Sequence, residues 1–377
     1  MIPFNRPWSG ARAVEFLNEV CGSTHLSGDG RFTKLCHEWL ENILGVRKAL
    51  LTTSGSGALD MAAILAGLEA GDEVIMPSFT FSSSANAIVL RGATPVFVDI
   101  RADTLNIDER LIEAAITPRT RAIMVVHYAG VACAMDSIMA IAARHGLTVI
   151  EDAAQAIMAS YRGRPLGSIG QMAALSFHET KNIISGEGGA ILINDPEIIE
   201  RAEIIREKGT NRTAFARGEI SKYTWVDLGS SYLPSEIISA FLWSQLEVAQ
   251  ELTQRRLLIW SRYHEHFEAM EQAGVLRRPT IPEDVVSNGH IYYLLLPDEA
   301  KRDGLIRALR AEGISAVFHY IPLHSAPAGL RFGRASGSMQ QTDDLSRRLV
   351  RLPLWLGLDD GVDVVADAVK RALSPAA

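Results

Sequence analysis

The chain has 377 residues, 47% of them hydrophobic, with 37 basic against 44 acidic side chains and a net charge of −7. That length suits one large and one small domain, and the mixed, mildly acidic charge excludes the basic stripe that a nucleic-acid surface needs. Cys21, Cys36 and Cys133 are odd in number and lack C-x-x-C spacing, as reduced thiols do, and no apolar run nears the ~18 residues of a membrane span. Met1-Ile2-Pro3-Phe4-Asn5-Arg6 lacks the charged start and apolar stretch of an export signal, so a soluble, cytoplasmic protein is expected, without membrane or nucleic-acid partners and without a metal.

From about Val46 to Asp195, strand-like apolar runs alternate with helical patterns. The expected strands are Ala49–Thr53, Glu73–Met76, Pro95–Asp99, Ala122–His127, Thr148–Asp152, Ala173–Phe177 and Ala190–Ile193. Helical patterns lie between the earlier ones, at Gly57–Leu68, Ser83–Leu90, Glu109–Ala115 and Asp136–His145. Such alternation predicts an α/β fold, a largely parallel sheet with helices on both faces. Helical segments follow at Pro196–Lys208 and, as one long helix, from Ser235 towards Met270. Thr210–Trp225 has no clear period and reads as a loop. A chain leaving a sheet domain along a long helix usually enters a second domain. Ile291–Leu296, Arg302–Glu312, Ala316–Tyr320 and Val362–Leu373 read as a small α+β unit. The expected division is 1–245 for the large domain and 246–377 for the small C-terminal one.

Sheets of this kind bind ligands at the carboxyl ends of their strands. After the first strand stand Thr53-Ser54-Gly55-Ser56-Gly57, small residues at the positive end of a helix. They form either a phosphate cup or an ordinary N-cap made by Ser54 or Ser56. Neither G-x-G-x-x-G nor G-x-x-x-x-G-K-[ST] occurs, so neither a dinucleotide nor a nucleoside triphosphate is indicated. After the second strand, Phe79 and Phe81 are core residues, or one of them covers a flat ring. After Ile150 come Glu151 and Asp152; an aspartate closing an apolar strand is a helix cap or the partner of a cation such as a protonated ring nitrogen.

The last strand ends lead to Ser176-Phe177-His178-Glu179-Thr180-Lys181-Asn182 and a glycine turn, Gly186-Glu187-Gly188-Gly189. A lysine between two buried strands either reaches solvent or is relieved of its charge, for instance by forming a Schiff base with an aldehyde cofactor. Phosphate cup, aromatic, carboxylate and lysine, in that chain order and each at a strand end, are the parts list for pyridoxal phosphate.

The motifs Pro77-Ser78-Phe79-Thr80-Phe81, His127-Tyr128-Ala129-Gly130, Glu151-Asp152-Ala153-Ala154-Gln155, Phe177 to Asn182 and Phe318-His319-Tyr320-Ile321-Pro322-Leu323-His324 carry a resemblance that spans the chain. The sequence resembles the pyridoxal-phosphate-dependent nucleotide-sugar aminotransferases of the DegT/DnrJ/EryC/StrS family, and within it the dideoxygalactose transaminases. The resemblance implies a fold-type-I transferase with Lys181 as the Schiff-base lysine and Asp152 as partner of the pyridinium nitrogen. It implies Gln155 beside the phenolic oxygen, Phe81 over the ring, and Gly55, Ser56 and Ser176 as phosphate ligands. Many family members carry Gly-Tyr-Asn-Tyr-Arg where this chain has Gly229-Ser230-Ser231-Tyr232-Leu233, so whether Ser231 reaches the cofactor of a second subunit stays open. Gly28, Asp29, His319, Tyr320 and His324 are implied as sugar-pocket residues; His178 either shapes that pocket or is structural. The implied partners are a dTDP-keto sugar, L-glutamate and a second copy in a homodimer, with the cofactor passing through its pyridoxamine (PMP) form. An aminotransferase acting at C3 and a non-catalytic regulator are the competing readings. A regulator would add a DNA-binding segment, for which the first ~45 residues are too short, and a dehydratase of this fold would replace Lys181 by histidine.

Overall fold

The computed structural model describes residues 1–374. Its centre is an eight-stranded sheet. Across the sheet the strands run Lys48–Thr52, Gly189–Ile193, Met172–Ser176, Thr148–Asp152, Thr120–Val126, Glu73–Pro77, Thr94–Val98 and Arg334–Ala335. Only Gly189–Ile193 runs against the rest, since its pairings with Met172–Ser176 and Lys48–Thr52 are antiparallel and all others are parallel. The register sets Val126 beside Asp152, Asp152 beside Ala174, and Ser176 and Thr52 each beside Gly189. The carboxyl ends of four strands and the amino end of Gly189–Ile193 therefore meet along one edge.

The period of two along each strand divides the apolar side chains between two cores. Leu51, Ile75, Ile123, Val149, Ala173 and Leu192 face one core, shared with helices Arg31–Leu44 and Met135–His145. Leu50, Met76, Met124, Ile150, Ala174 and Ile191 face the other, covered by Gly55–Leu65 and Ile199–Arg206. A third core gathers around the two-stranded antiparallel sheet of Tyr292–Leu295 and Leu349–Leu352, packed by helix Gly361–Leu373.

Two expected elements differ. The helix from Ser235 towards Met270 is three helices, Glu236–Leu246, Ala249–His266 and Glu268–Gln272. The first break falls at Val248, whose φ of −120° and ψ of 15° leave the helical region without a Pro or Gly to announce it. Ala316–Tyr320 is not a strand: Val317 makes one bridge to Arg351, and the chain then turns away so that His319 and Tyr320 enter a cavity. Within Thr210–Trp225, Arg212–Ala216 forms one short helix.

Candidate active site

A cavity of about 380 Å³ opens at the carboxyl edge of the sheet. Of the residues singled out from sequence, Gly55, Ser56, Phe81, Asp152, Gln155, Ser176, His178, Lys181, His319 and Tyr320 line it. Gly28, Asp29, Ser231 and His324 do not. Gly28 packs on Leu233 and Pro234, and Asp29 pairs with Arg206 at 2.8 Å. His324 Nδ1 lies 2.8 Å from Ser78 Oγ, and its Nε2 lies 3.4 Å from Asp343. Ser231 is exposed and bridges Glu207.

At one end, Ser54 is the N-cap of helix Gly55–Leu65, its hydroxyl accepting from the Gly57 N–H at 3.0 Å. The first-turn N–H groups of that helix have no intrahelical acceptor and carry the positive end of its dipole. The approach is close: a Cβ on Gly55 would stand 2.8 Å from Ser176 Cβ, and one on Gly189 would stand 2.5 Å from the Gly55 nitrogen. Ser56 Oγ lies 2.7 Å from Ser83 Oγ, and Ser176 stands across from them on its strand end. Free N–H groups and clustered hydroxyls at a helix N-terminus suit a phosphate.

The strand Thr148–Asp152 delivers two carboxylates to opposite faces. Glu151 turns into the sheet's other core, where it accepts from the N–H groups of Gly167, Ile169 and Gly170 at 2.9, 2.7 and 2.6 Å and from His127 Nε2–H at 2.9 Å. Its valences are filled within the chain. Asp152 faces the cavity, accepting only from Ser84 Oγ–H at 2.7 Å and the Ala154 N–H at 3.1 Å, which leaves room for another donor. Gln155 Oε1 accepts from the Ala129 N–H at 2.7 Å, fixing the amide so that Nε2 donates to Tyr320 Oη at 3.0 Å.

Lys181 sits on the turn after Met172–Ser176, its backbone N–H closing on His178 O at 2.9 Å. Among the described residues no carboxylate lies within ion-pair distance of its amine. Burial pushes that amine down to about 8; Asp152 pulls it up and the Arg351 cation pushes it further down. His178 Nδ1 accepts from the Thr180 N–H at 3.3 Å and lies 2.9 Å from Thr180 Oγ1, and its Nε2 is 3.7 Å from Glu187.

Several cavity residues escaped the sequence reading. Ser83 lines the cavity and Ser84 stands behind it on Asp152; both lie in Ser82-Ser83-Ser84, a hydroxyl run opening the helix after Phe81, which could have signalled a polar rim. Phe4 and Asn5 arrive from the N-terminus, Asn5 Nδ2 donating to Glu179 O at 3.1 Å. His290, Arg256 and Arg351 come from the third core's side. Arg351 did leave a signal, a charge inside the apolar strand Leu349-Val350-Arg351-Leu352.

A family model described as the DegT/DnrJ/EryC1/StrS aminotransferase family matches residues 9–370. The chain belongs to that family. It is a pyridoxal-phosphate-dependent aminotransferase by that membership, and the phosphate cup, the open carboxylate and the unpaired amine fit the cofactor. It is 35% identical over 379 residues to the spore coat polysaccharide biosynthesis protein SpsC of Bacillus subtilis, covering 98% of this chain and 96% of that one. It is 35% identical over 320 residues to the GDP-perosamine synthase of Caulobacter vibrioides, covering 83% and 82%. Among solved structures, Spr1654 of Streptococcus pneumoniae in its PMP form superposes with a TM-score of 0.92 at 26% identity, over 99% of both chains. Other members of this aminotransferase family act on sugars, and this chain is a sugar aminotransferase of the same kind. Among the described residues no helix is long and apolar enough to cross a membrane.

Proposed function

We propose that this aminotransferase moves the amino group of L-glutamate to C4 of dTDP-4-keto-6-deoxyglucose, giving dTDP-4-amino-4,6-dideoxygalactose and 2-oxoglutarate. The observation that carries the transfer chemistry is the Lys181 amine, without an ion-pair partner and depressed by burial, in one cavity with Asp152. The choice of sugar is supported by the motifs shared with the dideoxygalactose transaminases.

Pyridoxal phosphate, when bound, supplies a carbonyl for the amino group and a conjugated ring that accepts an electron pair. In this reading Gly55, Ser56 and Ser176 would hold its phosphate, and Phe81 and Gln155 would bear on its ring. The Asp152 carboxylate, held by Ser84 and Ala154, keeps the proton on the ring nitrogen. Lys181 Nζ would anchor the cofactor and, when free, would be the base that takes the proton from the donor's Cα and the acid that returns one to C4 of the sugar. Its depressed pKa suits a base working near neutral pH. His178, His319 and Tyr320 border the space left for the sugar. Gly28, Asp29 and His324, engaged with their own chain, take no part in this reading.

A second copy is proposed to cover the exposed apolar side chains near the cavity rim and on the loop before Ser231, among them Phe81 at 62%, Tyr223 at 52% and Trp225 at 77% exposure. Ser231 would then approach the cofactor of that copy, and an active monomer in sedimentation would refute this. Incubation with the dTDP-4-keto sugar and L-glutamate tests the activity. Small proton couplings at C4 of the product mean an axial amine and support the galacto assignment; large ones mean the opposite sugar face. The GDP-perosamine synthase relative favours one second reading, a GDP-linked ketosugar, and the same assay run with both nucleotides decides between them.

A further inference from the structure

Two buried guanidiniums border the cavity without an acid to balance them. Arg351 stands mid-strand between the buried Val350 and Leu352, its backbone fixed by N–H donation to Val317 O at 2.7 Å. Its Nη1 donates to His319 Nε2 at 3.1 Å, and its Cζ lies 4.7 Å from the centre of the Phe4 ring. Its Nε is buried without any partner. Arg256 donates only to carbonyl oxygens, those of Gly289, His290 and Leu354, at 3.2, 2.8 and 3.3 Å. Among the described residues neither has a carboxylate within ion-pair distance. Burial and the Arg351 charge drive Arg256 down to about 9, and burial lowers Arg351 as well.

The histidine between Arg351 and the aromatic wall has its proton placed by this arrangement. A guanidinium only donates, so His319 Nε2 accepts, and Nδ1 carries the hydrogen towards Tyr128 Oη, 3.2 Å away. His319 is thus neutral, in line with the lowering that burial, Arg351 and Lys181 impose. It props the guanidinium and contributes no charge. Buried cations without a counter-ion are strongly unfavourable, so the arrangement calls for an anion from outside the chain.

Resting on the aminotransferase reading above, we propose that Arg351 binds the α-carboxylate of the amino donor. The cofactor phosphate has its own cup, at the N-terminus of Gly55–Leu65, and needs no guanidinium there. A carboxylate matches the planar fork of a guanidinium. The α-carboxylate is one bond from the carbon that Lys181 deprotonates, and Arg351 is near enough to that amine for its charge to be felt there. Holding this group orients the Cα–H bond towards Lys181 Nζ.

The test compares wild-type holoenzyme with Arg351→Gln and Arg351→Lys. Affinities for L-glutamate, L-alanine and ethylamine are read from the visible spectrum of the bound cofactor, ethylamine being L-alanine without its carboxylate. R351Q should weaken both amino acids about 10- to 100-fold and leave ethylamine unchanged, as loss of one charged hydrogen-bond pair requires. R351K, which keeps the charge without the fork, should fall between, and it serves as the test should R351Q fail to fold. A parallel loss for all three amines would make Arg351 structural and overturn the proposal. A loss for L-glutamate with L-alanine untouched would also overturn it, placing Arg351 on the far carboxylate. Wild-type enzyme that answers to none of the three amines would sink the donor reading itself, and this inference with it.

Discussion

Replacing Lys181 by methionine should make the cofactor-free protein more stable. The two side chains have similar length and girth, so the exchange removes a charge and little packing. In the folded chain burial brings the amine from an ordinary 10.5 to about 8. The unfolded chain therefore binds the extra proton between those values, and that proton opposes folding. The penalty is complete below about pH 8, shrinks as pH rises through the window, and is gone above 10.5. At about 1.36 kcal/mol per pH unit it amounts to about 3 kcal/mol at pH 7. Urea melts of the apo forms at fixed protein concentration measure this. K181M should exceed wild type by a few kcal/mol at pH 7, and the two should converge near pH 10.5. A variant no more stable than wild type at pH 7, or a gap that ignores pH, would refute the argument that a destabilising charge is kept at this position for chemistry.

Asp152→Asn should still take up cofactor yet turn over at least about a hundredfold more slowly in single-turnover assays, since an amide cannot hold the ring-nitrogen proton. Near-normal turnover would reduce Asp152 to a helix cap. Ser84→Ala removes one of two internal donors to that carboxylate; a loss of about tenfold in the same assay, with cofactor retained, is expected. Glu151→Gln should leave the cavity's geometry alone but lower stability by about 3 kcal/mol in urea melts, because an NH2 group would face donors in a dry core.

The sheet was legible because each strand announces itself by an apolar run and each crossover by a helical period. Thr148–Asp152 is placed by sequence on the same residues as by structure, and the other six runs end within a residue or two. The break at Val248 was not legible, since no breaker residue marks it and tertiary packing alone selects it. On the cavity's sheet side, residues lie at strand ends, where position in the fold follows from the pattern. Arg256, His290 and Arg351 belong to the opposite wall, and three separate segments reach it through packing that no local period encodes. Asp29 and His324 looked like pocket residues for the converse reason: polar residues in motif-rich segments, they find their partners in Arg206 and Ser78.

The outermost strand of the sheet has a consequence for how the chain is made. Thr94–Val98 has Glu73–Pro77 on one side, but its other side is closed only by Arg334–Ala335. Arg334 then clamps Glu73 with two hydrogen bonds, at 3.1 and 2.8 Å. On a ribosome adding about 5–20 residues per second, that closing segment emerges tens of seconds after the strand it covers. Through that interval the nascent sheet shows a bare edge able to template pairing with another chain. Nascent chains truncated before Arg334 would therefore be the aggregation-prone ones, and the last forty or so residues act as a late seal on the first hundred.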